Sequence, residues 1–192
     1  MKQWIYPHEA NHLARTVETL RNDGIILHPT DSIWGIAGRV SKQAHEKIVK
    51  LKGRPPEKPF IIGVASEDML RQYMNDVTEE VVQFIKSVSR PTTIIGKAKN
   101  LPDWAIATDG TVAIRIMKHI FSTAMIELLG EPIFTTSPNK SGSPTPQTFR
   151  EIDPEIKAQV DYIVSLPEEM GRTGRPSRII KITPKGFTII RP

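Results

Sequence analysis

The chain has 192 residues, a net charge of +5 (26 basic minus 21 acidic side chains) and no cysteine. That length suits one domain with a sizeable core, and the missing cysteines exclude disulfides, thiolate catalysis and thiolate-bound zinc. Met1 to Trp4 lacks an apolar signal core, and no apolar run approaches the ~18 residues of a membrane span; a cytoplasmic protein without membrane contact is expected.

Ala10, Leu13, Ala14, Val17 and Leu20 recur at helical spacing, predicting a helix over residues 8–22 that stops at Gly24. Residues 25–28 form a short apolar strand, broken by Pro29-Thr30-Asp31-Ser32 into a polar loop. Ser41 can cap a helix to about Leu51, with Ala44, Ile48 and Leu51 inward. Residues 60–64 read as a buried strand. Ser66-Glu67-Asp68 opens a short helix, and residues 78–88 form another with two glutamates in its first turn. Strands at 92–95 and 111–116 flank a loop with an Asp109-Gly110 turn. A helix over 119–129 ends at Gly130, and a strand over 133–136 breaks into Ser137-Pro138-Asn139-Lys140-Ser141-Gly142. A helix over 154–159, a strand at 162–164 and two strands around Pro184-Lys185-Gly186 close the chain. Short apolar strands alternating with helices predict an α/β fold, a mixed sheet covered by helices. Ligands of open α/β sheets bind on loops outside the strand ends.

Residues 50–60 concentrate four cations, Lys50, Lys52, Arg54 and Lys58, among Pro55, Pro56 and Pro59. Proline fixes φ and pushes the residue before it towards extended geometry. The segment therefore reads as a stiff extended arm on which Lys52 and Arg54 point the same way. A basic helix end followed by a solvated loop has the same composition. No Walker loop, dinucleotide fingerprint, His-Glu-x-x-His or Gly-x-Ser-x-Gly occurs, and the five histidines are scattered. Gly171-Arg172-Thr173-Gly174-Arg175 is a basic loop, more often a turn than a phosphate site. What remains is a set of cations (Lys50, Lys52, Arg54, Lys58, Arg115, Arg191) with Thr30, Ser32, Ser137, Asn139, Ser141 and Ser177. Such groups hold phosphate-bearing ligands by charge-assisted bonds. No general base or nucleophile stands out, so an enzyme built on them works by positioning and charge neutralisation.

These stretches resemble the threonylcarbamoyl-AMP synthases, the YrdC-like family, in its short single-domain form. His28-Pro29-Thr30-Asp31-Ser32-Ile33-Trp34-Gly35-Ile36 is similar to the family's Pro-Thr-Asp/Glu-Thr-x-Tyr/Trp-Gly loop. Lys50-Leu51-Lys52-Gly53-Arg54-Pro55 with Lys58-Pro59-Phe60 resembles its Lys-x-Arg-Pro arm, and Thr111-Val112-Ala113-Ile114-Arg115 its Thr-Val-Ala-Val-Arg strand. Ser137-Pro138-Asn139-Lys140-Ser141-Gly142 is similar to its Ser-Ala-Asn-x-Ser-Gly loop, with Pro138 in place of alanine. Pro176-Ser177 and Ile190-Arg191 resemble its closing motifs, with Arg178 where Thr or Ser is usual. The blocks keep the family's order over residues 8–192.

The resemblance implies one YrdC-like domain over residues 1–192, a mixed twisted open sheet around a large basic concave cleft. It implies a nucleotidyltransferase that condenses L-threonine, bicarbonate and ATP to threonylcarbamoyl-AMP and pyrophosphate, for tRNA threonylcarbamoyladenosine modification. Lys52 and Arg54 would be catalytic. Thr30, Ser32 and Arg115 would meet the threonine and bicarbonate end. Lys50, Lys58, Ser137, Asn139, Ser141, Ser177 and Arg191 would meet the nucleotide. No metal ligands are implied, because Mg²⁺ would be held mainly by phosphates and water. Implied partners are the tRNA-modifying threonylcarbamoyl transferase complex and tRNA. A tRNA- or double-stranded-RNA-binding module, and a paralogous enzyme without this activity, stay open. A charge of +5 and the scattered Trp4, Trp34 and Trp104 count against RNA as the main ligand.

Overall fold

The computed structural model describes residues 7–164 and 173–192; Met1 to Trp4 and the Gly171-Arg172 half of the basic loop lie outside them. The first half runs α1 (Pro7–Arg21), β1 (Ile25–His28), β2 (Gly35–Arg39), α2 (Lys42–Lys52), β3 (Ile61–Val64), α3 (Glu67–Tyr73), α4 (Glu79–Ser87) and β4 (Thr92–Lys97). It continues with β5 (Thr111–Ile116), α5 (Ile120–Leu129), β6 (Ile133–Thr136), α6 (Pro154–Gln159), β7 (Tyr162–Ile163), β8 (Arg178–Thr183) and β9 (Gly186–Arg191). The strands form one sheet in the order β7-β1-β2-β6-β3-β5-β4-β8-β9. Three pairings are parallel (β1 with β7, β3 with β5, β4 with β8) and the rest antiparallel. The sheet is therefore mixed and open, as the strand and helix pattern predicts.

Period-two alternation splits the core. Ile25, Leu27, Ile36, Ile62, Phe134, Ile94 and Ile114 face one layer, filled by Ala44, Ile48 and Leu51 of α2, Leu70 of α3, Val81, Val82 and Ile85 of α4 and Ile156 of α6. Ile26, Ala37 and Ile133 face the other, filled by Val17 and Leu20 of α1 and by Phe121, Met125, Ile126 and Leu129 of α5. On α1 the apolar stripe is narrower than its spacing predicts. Ala10 and Ala14 are exposed and Thr16 is buried, so the inward row is 13, 16/17 and 20. Helix α1 ends on Asp23 in the left-handed region (φ 56°), with Gly24 N–H bonded to the Thr19 carbonyl.

Pairing register decides which residues share a face. Arg115 of β5 lies opposite Thr93 of β4, Thr93 opposite Ile179 of β8, and Ile179 opposite Arg191 of β9. A register shift between Ile179 and Ile180 inserts one residue into β9, so Ile180 faces Ile189 but Ile179 faces Arg191. Without that bulge Ile190 would oppose Ile179, and the Arg191 side chain would leave the opposite face of the sheet. The bulge thus brings Arg191 into the same transverse row as Arg115.

Candidate active site

β1 ends where Pro29 removes a ladder donor. The connection to β2 turns on the Thr30 hydroxyl, which accepts from the Ser32 N–H (3.1 Å) and donates to the Ile33 carbonyl (2.5 Å). Thr30, Asp31 and Ser32, a polar loop by composition, are buried. Arg115 explains this. Its Nη1 donates to Ser32 Oγ (2.9 Å), and its Nη2 lies 3.5 Å from Asp31 Oδ1. Asp31 Oδ2 accepts from the Lys118 N–H (3.0 Å). The Arg115 and Asp31 side chains are 7% and 8% exposed, a buried pair whose two charges cancel. Burial pulls the Arg115 guanidinium below its ordinary value, and Asp31 opposes the shift. Behind the loop, Ser122 Oγ lies 3.3 Å from His28 Nδ1 and 3.2 Å from the Pro29 carbonyl, and burial chiefly lowers His28 to about 3, keeping it neutral.

The basic arm departs from its extended prediction. Lys52 is the last residue of α2, and Gly53 is left-handed (φ 55°), with Gly53 N–H bonded to the Lys50 carbonyl and Arg54 N–H to the Val49 carbonyl. The Lys58 N–H then closes a turn on the Pro55 carbonyl (3.1 Å). Lys52 and Arg54 therefore part company, because a left-handed glycine reverses the chain between them. The Lys52 ammonium is 3% exposed as a residue and donates to the carbonyls of Ser137 (2.5 Å) and Asn139 (2.6 Å). Its own carbonyl accepts from the Ser141 N–H (2.8 Å). Lys52 is a latch for the 137–141 loop. Arg54 folds back on its arm, donating to the carbonyls of Lys58 (3.2 Å) and Pro59 (2.9 Å) and lying 5.0 Å over the Phe60 ring. Its Nη1 has no partner among the described residues.

The opposite wall comes from the β8–β9 pair. Ser177 Oγ is 2.8 Å from Thr93 Oγ1, and Arg191 sends Nε (3.0 Å) and Nη2 (2.6 Å) to the Ser177 carbonyl. Burial, then the neighbouring Arg90, lowers the Arg191 guanidinium. Among the described residues Arg191 has no carboxylate partner and its Nη1 has no hydrogen-bond partner.

Between these walls lies a cavity of about 270 Å³. Thr30, Ser32, Arg54, Arg115, Ser137, Ser177 and Arg191 line it, seven of the twelve residues singled out from the sequence. Five stand outside the lining. Lys50, Lys58 and Ser141 are exposed. Lys52 is spent on its loop. Asn139 turns its amide nitrogen to the carbonyls of Lys140 (3.2 Å) and Ser143 (2.6 Å), leaving Oδ1 buried without a partner. Trp34, Phe60, Thr135, Thr136, Thr145 and Pro176 complete most of the wall and went unselected. Asp31, the counter-charge of Arg115, was also missed; a buried strand arginine requires a carboxylate nearby, and Asp31 is flanked by the two selected hydroxyls.

A small hydroxyl-walled cavity with three guanidiniums, one neutralised and two without a carboxylate partner among the described residues, has the groups that hold anions. The Sua5/YciO/YrdC family model, described as telomere recombination, matches residues 18–192. The chain belongs to this family. A Sua5/YciO/YrdC relative, the threonylcarbamoyl-AMP synthase of Xanthomonas euvesicatoria pv. vesicatoria (strain 85-10), is 30% identical over 172 residues, spanning 87% of this chain and 91% of that protein. The crystal structure of P. abyssi Sua5 complexed with L-threonine superposes with a TM-score of 0.84 at 26% identity, covering 96% of this chain and 54% of the Sua5 chain. E. coli YciO shares the fold, with a TM-score of 0.77 at 24% identity over 95% of this chain and 89% of its own.

Proposed function

We propose that the chain is an L-threonylcarbamoyladenylate synthase, condensing L-threonine, bicarbonate and ATP to threonylcarbamoyl-AMP and pyrophosphate. The product would pass to a threonylcarbamoyl transferase complex acting on tRNA in the cytoplasm. One observation carries the reading. Arg54 and Arg191 both line a hydroxyl-walled cavity, each with an Nη1 that has no partner among the described residues, and Arg115 is already neutralised by Asp31. Such a site accepts ligands of several negative charges, and the reactants here are a carboxylate, a carbonate and a triphosphate. The relatives named threonylcarbamoyl-AMP synthase support the same choice.

Atom balance sets the chemistry. The threonine nitrogen bonds to the bicarbonate carbon with loss of water, giving a carbamate. A carbamate oxygen then bonds to the α-phosphorus as the bond to pyrophosphate breaks. Both steps gather negative charge, which fixed guanidiniums stabilise without reorganisation. In this reading Thr30, Ser32 and Arg115 hold the threonine end, Arg54 spans carboxylate and phosphate, and Ser137, Ser177 and Arg191 hold the nucleotide. The lining contains no carboxylate, and no cluster of three His, Asp or Glu capable of holding a metal occurs among the described residues. That donor set fits a Mg²⁺ ion carried in by phosphate oxygens, where it would neutralise phosphate charge. The test is pyrophosphate release from ATP. It should require both L-threonine and bicarbonate and yield the threonylcarbamoyl adenylate; release that ignores threonine refutes the assignment.

A further inference from the structure

Arg90 sits two residues before β4, outside the cavity lining but against its far wall. Its Nη2 donates to the Pro176 carbonyl (3.0 Å), while Arg191 holds the carbonyl of the next residue, Ser177. Two guanidiniums are thus fixed side by side on successive carbonyls of one wall segment. Neither forms an ion pair with a carboxylate among the described residues. Each lies within the other's field, and Arg90 contributes to the lowering of Arg191. Backbone carbonyls orient a guanidinium but leave its charge uncompensated, so the pair is in electrostatic tension until an anion arrives. Among the described residues neither the Arg90 Nε, which is sealed from solvent, nor its Nη1 has a hydrogen-bond partner.

We propose that Arg90 is a further phosphate-binding residue, forming with Arg191 a double fork for an anion that carries two linked phosphoryl groups. This rests on the nucleotide reading of the cavity, in which that anion is the terminal diphosphate of the nucleotide and then the pyrophosphate released. In the same reading Arg115 holds the threonine end and Arg54 spans carboxylate and phosphate. Arg90 shares the 176–177 wall segment with Arg191 and so adds a cation to the nucleotide side of that reading. Two forks anchored on successive carbonyls suit a diphosphate better than a single phosphate, which satisfies only one of them.

The experiment is calorimetric titration of the full chain with pyrophosphate, orthophosphate and L-threonine, beside melting curves without ligand. Arg90→Gln should weaken pyrophosphate binding about tenfold, the value of one charge-assisted hydrogen bond. It should change orthophosphate much less, leave threonine binding unchanged, and keep or raise the melting temperature by removing the repulsion. Arg90→Lys keeps the charge without the fork and should fall between Gln and wild type. Wild-type pyrophosphate affinity in Arg90→Gln overturns the proposal. So does a lowered melting temperature with all three ligands weakened alike, which would make Arg90 a clamp for Pro176 alone. A wild-type chain that binds pyrophosphate through Arg90 but shows no threonine-dependent turnover refutes the synthase reading and leaves this site standing.

Discussion

Replacing Lys52 by methionine removes the ammonium but keeps most of the apolar stem. Two opposing effects follow. The carbonyls of Ser137 and Asn139 lose their donor, at about 1–3 kcal/mol each for a partly buried acceptor left unmade. Against this, the fold no longer has to bury a cation. Burial, then the nearby Arg54, lowers the Lys52 pKa from 10.5 to about 8. At about 1.4 kcal/mol per pH unit, that gap is about 3 kcal/mol against the charged form. The terms nearly cancel, so Lys52→Met should destabilise the chain by only about 1 kcal/mol in urea unfolding at pH 7. Function should suffer more, because Ser137 lines the cavity and its loop loses the latch: the KM for ATP in pyrophosphate release should rise about tenfold.

The pH dependence supplies a second readout. The folded pKa lies below the unfolded one, so between about 8 and 10.5 the unfolded chain binds more protons and stability rises with pH. From pH 7 to 9.5 the wild type should gain about 2 kcal/mol relative to Lys52→Met. Parallel stability curves for the two proteins would refute the buried-cation argument. An unchanged KM for ATP would refute the role of the latch.

Arg54→Ala should lower turnover about 10- to 150-fold by deleting a charge-assisted bond of roughly 1.5–3 kcal/mol, with the melting temperature little changed; wild-type kinetics would assign Arg54 to the arm alone. Arg115→Ala should cost about 3–5 kcal/mol in urea unfolding because it strands a buried Asp31, and the Asp31→Asn, Arg115→Met double variant should recover more than half of that. Among amino acids at equal concentration, adenylate formation should fall in the order threonine, serine, valine. A lost methyl beside Ile33 or Trp34 costs about 1–3 kcal/mol, whereas a lost hydroxyl leaves polar wall groups unpaired. Valine ahead of serine would mean that the pocket reads shape alone.

Most of the sheet is legible in the sequence because β1, β3, β5 and β6 are largely buried and read as short apolar runs between breakers. β2 is the exception. Gly35-Ile36-Ala37-Gly38-Arg39 has two glycines and one β-branched residue, so its local signal is weak. Tertiary packing supplies what propensity lacks. β1 and β6 pair with it on either side, and Gly38 lies against α2 where a side chain's Cβ would come within 2.9 Å of Ala44 Cβ. The glycine that weakens the strand signal is thus the one that lets the helix seat.

The site divides in the same way. Residue types were readable: hydroxyls at Thr30, Ser32, Ser137 and Ser177, and guanidiniums at Arg54, Arg115 and Arg191, do line one cavity. Directions were not. Spacing of two suggested that Lys52 and Arg54 act together, but that inference holds only for an extended chain, and Gly53 turns left-handed between them. The β9 bulge that aims Arg191 leaves no mark in composition, because it is a shift in the pairing of β9 with β8 and not a property of either strand alone. Likewise a loop of Thr, Asp and Ser reads as solvated until Arg115 arrives from a strand 83 residues after Ser32 to satisfy it. Local chemistry states which anion-binding groups are available. Only the pairing register decides which cations stay free to bind: Asp31 neutralises Arg115, loop carbonyls occupy Lys52, and the bulge turns Arg191 to the cavity with no carboxylate partner among the described residues.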